Sequence, residues 1–241
     1  KRGVTLEDAR RNWGVAGCVE MGVQGQMCHF ANSGYFNLVR CLEVTMAGGY
    51  DRYTGKQVGP VTPKIEEITS YEELVDAFKQ QFHCAMKHMV QIGNVVNTMH
   101  AKWVTLPFET CFTEDCVGRG LEVHAGGAKY NHDGPQAVGL ADVADSFCAI
   151  KKLVFTENRF TLKELKEAID HDFVGYEDIK VQLINDAPKY GNNDAEVDMI
   201  ARDILTYFCE EVGQYRNLRG GHFVPGAYSN SANIPFGEDC G

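Results

Sequence analysis

Cys18 and Glu20 stand two residues apart inside Gly14-Val15-Ala16-Gly17-Cys18-Val19-Glu20-Met21-Gly22, and a sulfur beside a carboxylate is a pair that can act on one small molecule. Glycines on both sides free the backbone for a tight projecting loop, and small residues around a cysteine let another group reach its sulfur. In extended backbone, residues two apart share a side. The sulfur would then address one atom of a substrate and the carboxylate the next. The same residues also fit a packed cysteine beside a surface acid, because free cysteine is among the most buried residue types.

Other chemistry is sparse. Nine cysteines, at 18, 28, 41, 84, 111, 116, 148, 209 and 240, include no Cys-x-x-Cys pair. Neither a disulfide framework nor a zinc module is expected, and most of these thiols read as small buried hydrophobes. His29, His124, His132 and His222 lie in segments able to face a pocket, yet none has a partner at the spacing of a Ser/His/Asp or metal-ligand set. Each is expected in a structural role, and no metal site is expected. Gly126-Gly127 and Gly220-Gly221 lack the Lys-Ser/Thr ending and the G-x-G-x-x-G context of phosphate loops. With 33 acidic against 23 basic residues and a net charge of −10, a nucleic-acid partner is excluded. No apolar run approaches the length of a membrane span, and the start at Lys1-Arg2-Gly3-Val4-Thr5 is no signal-peptide core. The expected setting is cytoplasmic, away from membranes.

The elements that must position the pair are readable in outline. Thr5 and Asp8 resemble a capping box for a short helix ending near Trp13-Gly14. Tyr35, Leu38, Val39, Leu42 and Met46 predict a helix stopping at Gly48-Gly49, followed by a loop over 55–63. Ser70 and Glu73 form a capping box opening the longest helix, with Leu74, Phe78, Phe82, Ala85, Met89, Ile92, Val96 and Met99 as its apolar stripe. A strand is expected over 121–130, a turn at Gly134-Pro135 and a helix over 138–155. Thr161 and Glu164 cap a further helix, 195–212 is amphipathic, and 227–234 reads as extended. Helices separated by short apolar strands argue an α/β fold with a parallel or mixed sheet. No repeat or linker interrupts it, so residues 1–241 are expected to form one unit.

Gly17-Cys18-Val19-Glu20 resembles the cysteine loop of glycyl radical enzymes of the pyruvate formate-lyase-like superfamily, in the dehydratase and decarboxylase branch. Three downstream blocks carry the same resemblance. They are Gly34-Tyr35-Phe36-Asn37-Leu38 with Leu42-Glu43, the stretch from Gly126-Gly127-Ala128-Lys129-Tyr130-Asn131 through Gly134-Pro135-Gln136 to Lys151-Lys152-Leu153-Val154-Phe155, and Tyr190-Gly191-Asn192-Asn193-Asp194. The resemblance implies part of a barrel of roughly ten strands, surrounded by helices, in which the cysteine loop meets a glycyl radical loop at the centre. It implies a partner, an activating enzyme that uses an iron-sulfur cluster and S-adenosylmethionine to install the glycyl radical, and no directly bound cofactor. That radical takes hydrogen from the cysteine, and the thiyl takes hydrogen from a small-molecule substrate. Cys18 matches the thiyl cysteine, Glu20 the acid/base glutamate and Tyr35 a pocket-lining aromatic, although Tyr35 also fits the first core position of the following helix. Glu109 is expected at a substrate-facing strand end, where it would bind a hydroxyl or ammonium group. A homo-oligomer is the expected assembly.

The family's Arg-Val-x-Gly-Tyr-like radical motif does not occur in this sequence. The reading is therefore of an internal piece of a longer catalytic domain, inactive alone. Val19-Glu20 in place of a second cysteine argues against pyruvate formate-lyase proper, and the glutamate against the fumarate-adding synthases. Met21-Gly22-Val23 departs from the Pro-Gln of choline and diol lyases. Glu109 tilts the choice toward decarboxylation of an arylacetate of the 4-hydroxyphenylacetate type. A dehydratase acting on trans-4-hydroxyproline, glycerol or propanediol, or another C–X lyase, is the alternative. From a different class, a non-catalytic α/β domain with structural cysteines also fits the residues.

Overall fold

The element order explains how a glycine-rich hairpin comes to lie beside a parallel strand pair. The computed structural model describes residues 3–17, 20–28 and 30–240. In chain order these form α1 (Leu6–Asn12), β1 (Trp13–Ala16), β2 (Glu20–Val23), β3 (Phe30–Asn37), α2 (Leu38–Met46), β4 (Tyr50–Asp51) and β5 (Lys56–Gln57). The long α3 (Tyr71–Trp103), α4 (Pro107–Phe112), α5 (Cys116–Arg119), β6 (Asp133–Val138) and α6 (Leu140–Ala149) follow. A π-helical turn (Ile150–Thr156), α7 (Leu162–Asp170), α8 (Glu177–Asn185), α9 (Ala195–Gly213), β7 (Gly226–Ala227) and α10 (Asn233–Cys240) complete the chain. Contacts divide it into two units, one of 1–36, 86–137 and 208–229, the other of 37–85, 138–207 and 230–241.

In the first unit, Thr5 caps α1 by accepting from the Asp8 amide at 3.2 Å. Asp8 is buried and accepts a hydrogen bond from the Tyr130 hydroxyl at 2.5 Å, with Lys129 Nζ at 2.9 Å. The Tyr130 bond first, then that from Thr5, holds this carboxyl well below the usual carboxylate range. β1 and β2 pair antiparallel, Trp13 opposite Val23 and Ala16 opposite Glu20. A second sheet runs in the order β3-β6-β7, with β6 and β7 parallel and Gln136 opposite Gly226. Side chains at 221 and 226 would not fit there. A Cβ on Gly221 would lie 1.7 Å from the Asn131 carbonyl oxygen, and one on Gly226 would lie 2.0 Å from Gln136 Oε1.

The second unit is held by an aromatic cluster, with the Phe78 and Phe147 rings edge-on at 5.1 Å and Phe82 and Tyr207 also at 5.1 Å. Ala144, Cys148, Val197 and Ala201 pack together between α6 and α9. Asn37 caps α2 by accepting from the Arg40 amide, and Thr161 with Glu164 makes the full capping box expected for α7.

Several expectations are corrected. The strand read over 121–130 is a 3-10 turn (Val123–Ala125) with loop around it, and the strand lies at Asp133–Val138, through the expected Gly134-Pro135 turn. Every residue of β6 is buried, and a strand covered on both faces shows no alternation to read. Tyr35 lies on β3, since Asn37 starts the helix after it. The segment read as extended over 227–234 ends at Ala227 and gives way to α10. On α3 the expected stripe holds at Leu74, Phe78 and Phe82, but Ile92 and Met99 are 64% and 50% exposed. Gly93 and Asn97 turn inward instead: Gly93 lies against Phe223, and Asn97 donates to Asp133 at 2.7 Å.

Candidate functional site

Glu20 opens β2, opposite Ala16 at the end of β1. Cys18, like Val19 and His29, lies outside the described residues. Gly17, beside it, has φ +65°, and a Cβ there would meet Glu20 Oε2 at 2.8 Å. The left-handed backbone at Gly17 favours glycine, and a side chain there would displace the Glu20 carboxylate.

Glu20 Oε1 accepts a hydrogen bond from the Tyr228 hydroxyl at 2.5 Å. Asn32 Nδ2 donates to the same hydroxyl at 3.4 Å, and the Tyr35 ring meets Tyr228 edge-on with centroids 6.4 Å apart. The glutamate bond, followed by desolvation, pushes the Tyr228 hydroxyl above its ordinary pKa, because a neighbouring carboxylate disfavours a phenolate. Tyr228 therefore remains a donor and helps hold Glu20 in place. The buried Asn32 Oδ1 has no hydrogen-bond partner among the described residues.

Glu20 and Tyr228 line a cavity of about 650 Å³, within the range of small-molecule sites. Val4, Ala9 and Trp13, Met21 to Val23, Met27, His132 to Gly134, Gln136 and 224–227 also line it. Asp133 belongs to a buried network below it. Its carboxylate, 1% exposed, lies 2.5 Å from the guanidinium of Arg219, itself 3% exposed. Asn97 and Asn217 donate to its other oxygen at 2.7 and 2.9 Å. Arg219 also donates to Cys28 Sγ at 2.7 Å, while burial pushes that thiol up to about 11. Cys28 is therefore a neutral packing thiol. Breaking a buried pair leaves an uncompensated charge, so Arg219→Met in the full-length protein is expected to lose about 3–5 kcal/mol of stability. An unchanged denaturation midpoint would contradict this.

Of the residues singled out in the sequence, Glu20 and Tyr35 come together through Tyr228. Glu109 does not join them. It sits on the first turn of α4, where a strand end was expected, and is not among the residues lining the cavity. Its charge is felt by Cys28 and Cys116. His124 is buried with Nδ1 2.7 Å from the Val104 carbonyl and its ring stacked on His100, the structural role expected of it. Asn32 and Tyr228 carried no sequence signal beyond the glycine-spaced approach to 228, and His132 was read as structural. Among the described residues no group of three or more His, Cys, Asp or Glu could hold a metal ion. No helix among them is long and apolar enough to cross a membrane.

A family model described as pyruvate formate lyase-like matches residues 1–237. The chain is 36% identical to a trans-4-hydroxy-L-proline dehydratase of Clostridioides difficile, covering 99% of this chain and 30% of that protein. It is 34% identical to a (2S)-3-sulfopropanediol dehydratase of Klebsiella oxytoca, covering 98% of this chain and 29% of that one. The solved B12-independent glycerol dehydratase of Clostridium butyricum superposes with a TM-score of 0.93 at 43% identity, over 98% of this chain and 30% of that structure. The chain thus spans less than a third of the length of these relatives. The α/β class stands, with the chain forming part of the glycyl radical enzyme barrel. The chain belongs to the pyruvate formate lyase-like family of glycyl radical enzymes.

Proposed function

We propose that the full-length protein is a glycyl radical lyase that removes water from a small hydroxylated substrate, with residues 1–241 as one slice of its catalytic domain. The observation that carries this reading is the cluster of Glu20, Tyr228 and Asn32. It places a carboxylate, held by a tyrosine hydroxyl, at the wall of the cavity. In this account a thiyl on Cys18 takes a hydrogen atom from the carbon bearing that hydroxyl, giving a thiol and a carbon radical. Glu20 takes the hydroxyl proton, the C–O bond on the adjacent carbon breaks, and the protonated Glu20 returns that proton to the departing oxygen, which leaves as water. The product radical then recovers a hydrogen atom from the Cys18 thiol.

Related dehydratases act on hydroxylated substrates by name. The arylacetate reading leans on Glu109, which lies on α4 and away from the cavity wall. A radical S-adenosylmethionine activating enzyme with an iron-sulfur cluster, a homo-oligomeric assembly and a cytoplasmic setting belong to the same proposal. The test is turnover by the activated full-length protein under anaerobic conditions, with trans-4-hydroxyproline, glycerol, propane-1,2-diol and 4-hydroxyphenylacetate offered separately. Dehydration of at least one hydroxylated substrate is expected. Release of carbon dioxide from the arylacetate, with no dehydration, would overturn the choice.

A further inference from the structure

The antiparallel β1–β2 pair carries Glu20 and, in sequence, Cys18, and it continues into α1 on one side and residues 24–28 on the other. Both sides meet one residue outside the pair. Tyr130 belongs to the Gly126-Gly127-Ala128-Lys129-Tyr130-Asn131 stretch singled out in the sequence, which the reaction outlined above leaves without a role. Its hydroxyl accepts from the Thr5 amide at 3.1 Å and donates to Asp8 in the first turn of α1. Its backbone holds the other side: the Tyr130 amide donates to the Gln26 carbonyl and the Cys28 amide to the Tyr130 carbonyl, each at 3.0 Å. Between them the buried ring packs with Val4, Val23 and Met27. One residue thus ties the chain before β1 to the chain after β2.

Tyr130 is itself fixed. Arg119 Nη1 donates to the Gly127 and Ala128 carbonyls at 3.2 Å, and Asn217 Nδ2 to the Asn131 carbonyl at 2.6 Å. A Cβ on Gly127 would lie 2.2 Å from the Leu121 carbonyl oxygen, so this backbone lies hard against its neighbour. Val4, Ala9 and Trp13 from one held side and Met27 from the other line the cavity with Glu20, whereas Tyr130 is not in its wall. A strand pair loose at either side would let the carboxylate drift, and misplacing a reacting group by about 1 Å can cost on the order of 10²-fold in rate.

We propose that Tyr130 is a positioning residue: it sets the pose of β1 and β2, and with them Glu20 and the segment that carries Cys18, against the cavity without touching substrate. The proposal rests on the lyase reading above for the chemistry that this pose serves, and on the geometry alone for the clamp.

Hydrogen–deuterium exchange on the unactivated full-length protein tests the clamp without turnover. Tyr130→Phe keeps the ring and both backbone bonds, and Asp8 keeps Thr5 and Lys129, so no buried charge is orphaned. Amide exchange in peptides covering 13–23 is expected to speed up at least about tenfold, while peptides from α7 exchange as in the parent. Asp8→Asn should do the same to a smaller extent. After activation, turnover of whichever substrate the parent accepts, divided by glycyl radical content, should fall at least about tenfold in Tyr130→Phe, with KM within about threefold. That ratio separates positioning from stability, because a variant that merely unfolds loses radical and turnover together. Thr161→Ala, which removes the cap of α7 in the other unit, is the control and should lower the unfolding midpoint with turnover per radical unchanged. Unchanged exchange over 13–23, or parental turnover per radical in Tyr130→Phe, would overturn the proposal. Faster exchange in the variant, with a parent that releases no water from any hydroxylated substrate, would uphold the clamp and remove the dehydration reading instead.

Discussion

Glu20→Gln in the activated full-length protein is expected to lower kcat by about 10²- to 10⁴-fold, the usual contribution of a positioned acid or base. The substitution is close to isosteric, and its amide oxygen still accepts from Tyr228, whose hydroxyl lies 2.5 Å from Glu20 Oε1. What disappears is the ability to take a proton. The loss should fall on kcat rather than KM, because Asn32, Tyr35 and the cavity wall are untouched. Tyr228→Phe separates positioning from proton transfer. Without the phenol the carboxylate loses a donor that favours its charged form, so the acid limb of the kcat/KM profile moves to higher pH. kcat should fall about tenfold at neutral pH, in keeping with one hydrogen bond to a charged group. A Glu20→Gln enzyme within a few-fold of wild type would place the proton transfer elsewhere. A Tyr228→Phe enzyme with an unmoved acid limb would reduce the tyrosine to packing.

Local capping chemistry was legible because it depends on residues three apart. Thr161 with Glu164 and Thr5 with Asp8 each start a helix where the side chains require one. The Gly-Cys-Val-Glu stretch was legible for its composition, and the strands on either side of it pair, with Ala16 opposite Glu20. β6 was not, because burial on both faces removes the alternation that marks a strand. The inner face of α3 shifts where Asn97 meets Asp133, a contact across 36 positions that no helical period encodes. The same limit hid the site's other half. Tyr228 reaches Glu20 across 208 positions and Asn32 reaches Tyr228 across 196, brought close by glycines at 221 and 226 that let two chain segments run in contact. Glu109 was misplaced for the opposite reason. Expected at a strand end, it follows Pro107, the first residue of a helix.

The central claim is that hydrogen abstraction belongs to Cys18, which lies in sequence between Gly17 and Glu20. A serine there keeps nearly the same shape but presents an O–H bond too strong for a glycyl radical to break, so the radical would be made and then have nowhere to go. The decisive measurement is electron paramagnetic resonance of the activated full-length Cys18→Ser protein, with turnover followed in the same sample. The account predicts a glycyl radical signal at wild-type intensity, unchanged on adding substrate, and no detectable product. Product formed at a rate comparable to wild type would contradict it and assign the abstraction to another residue.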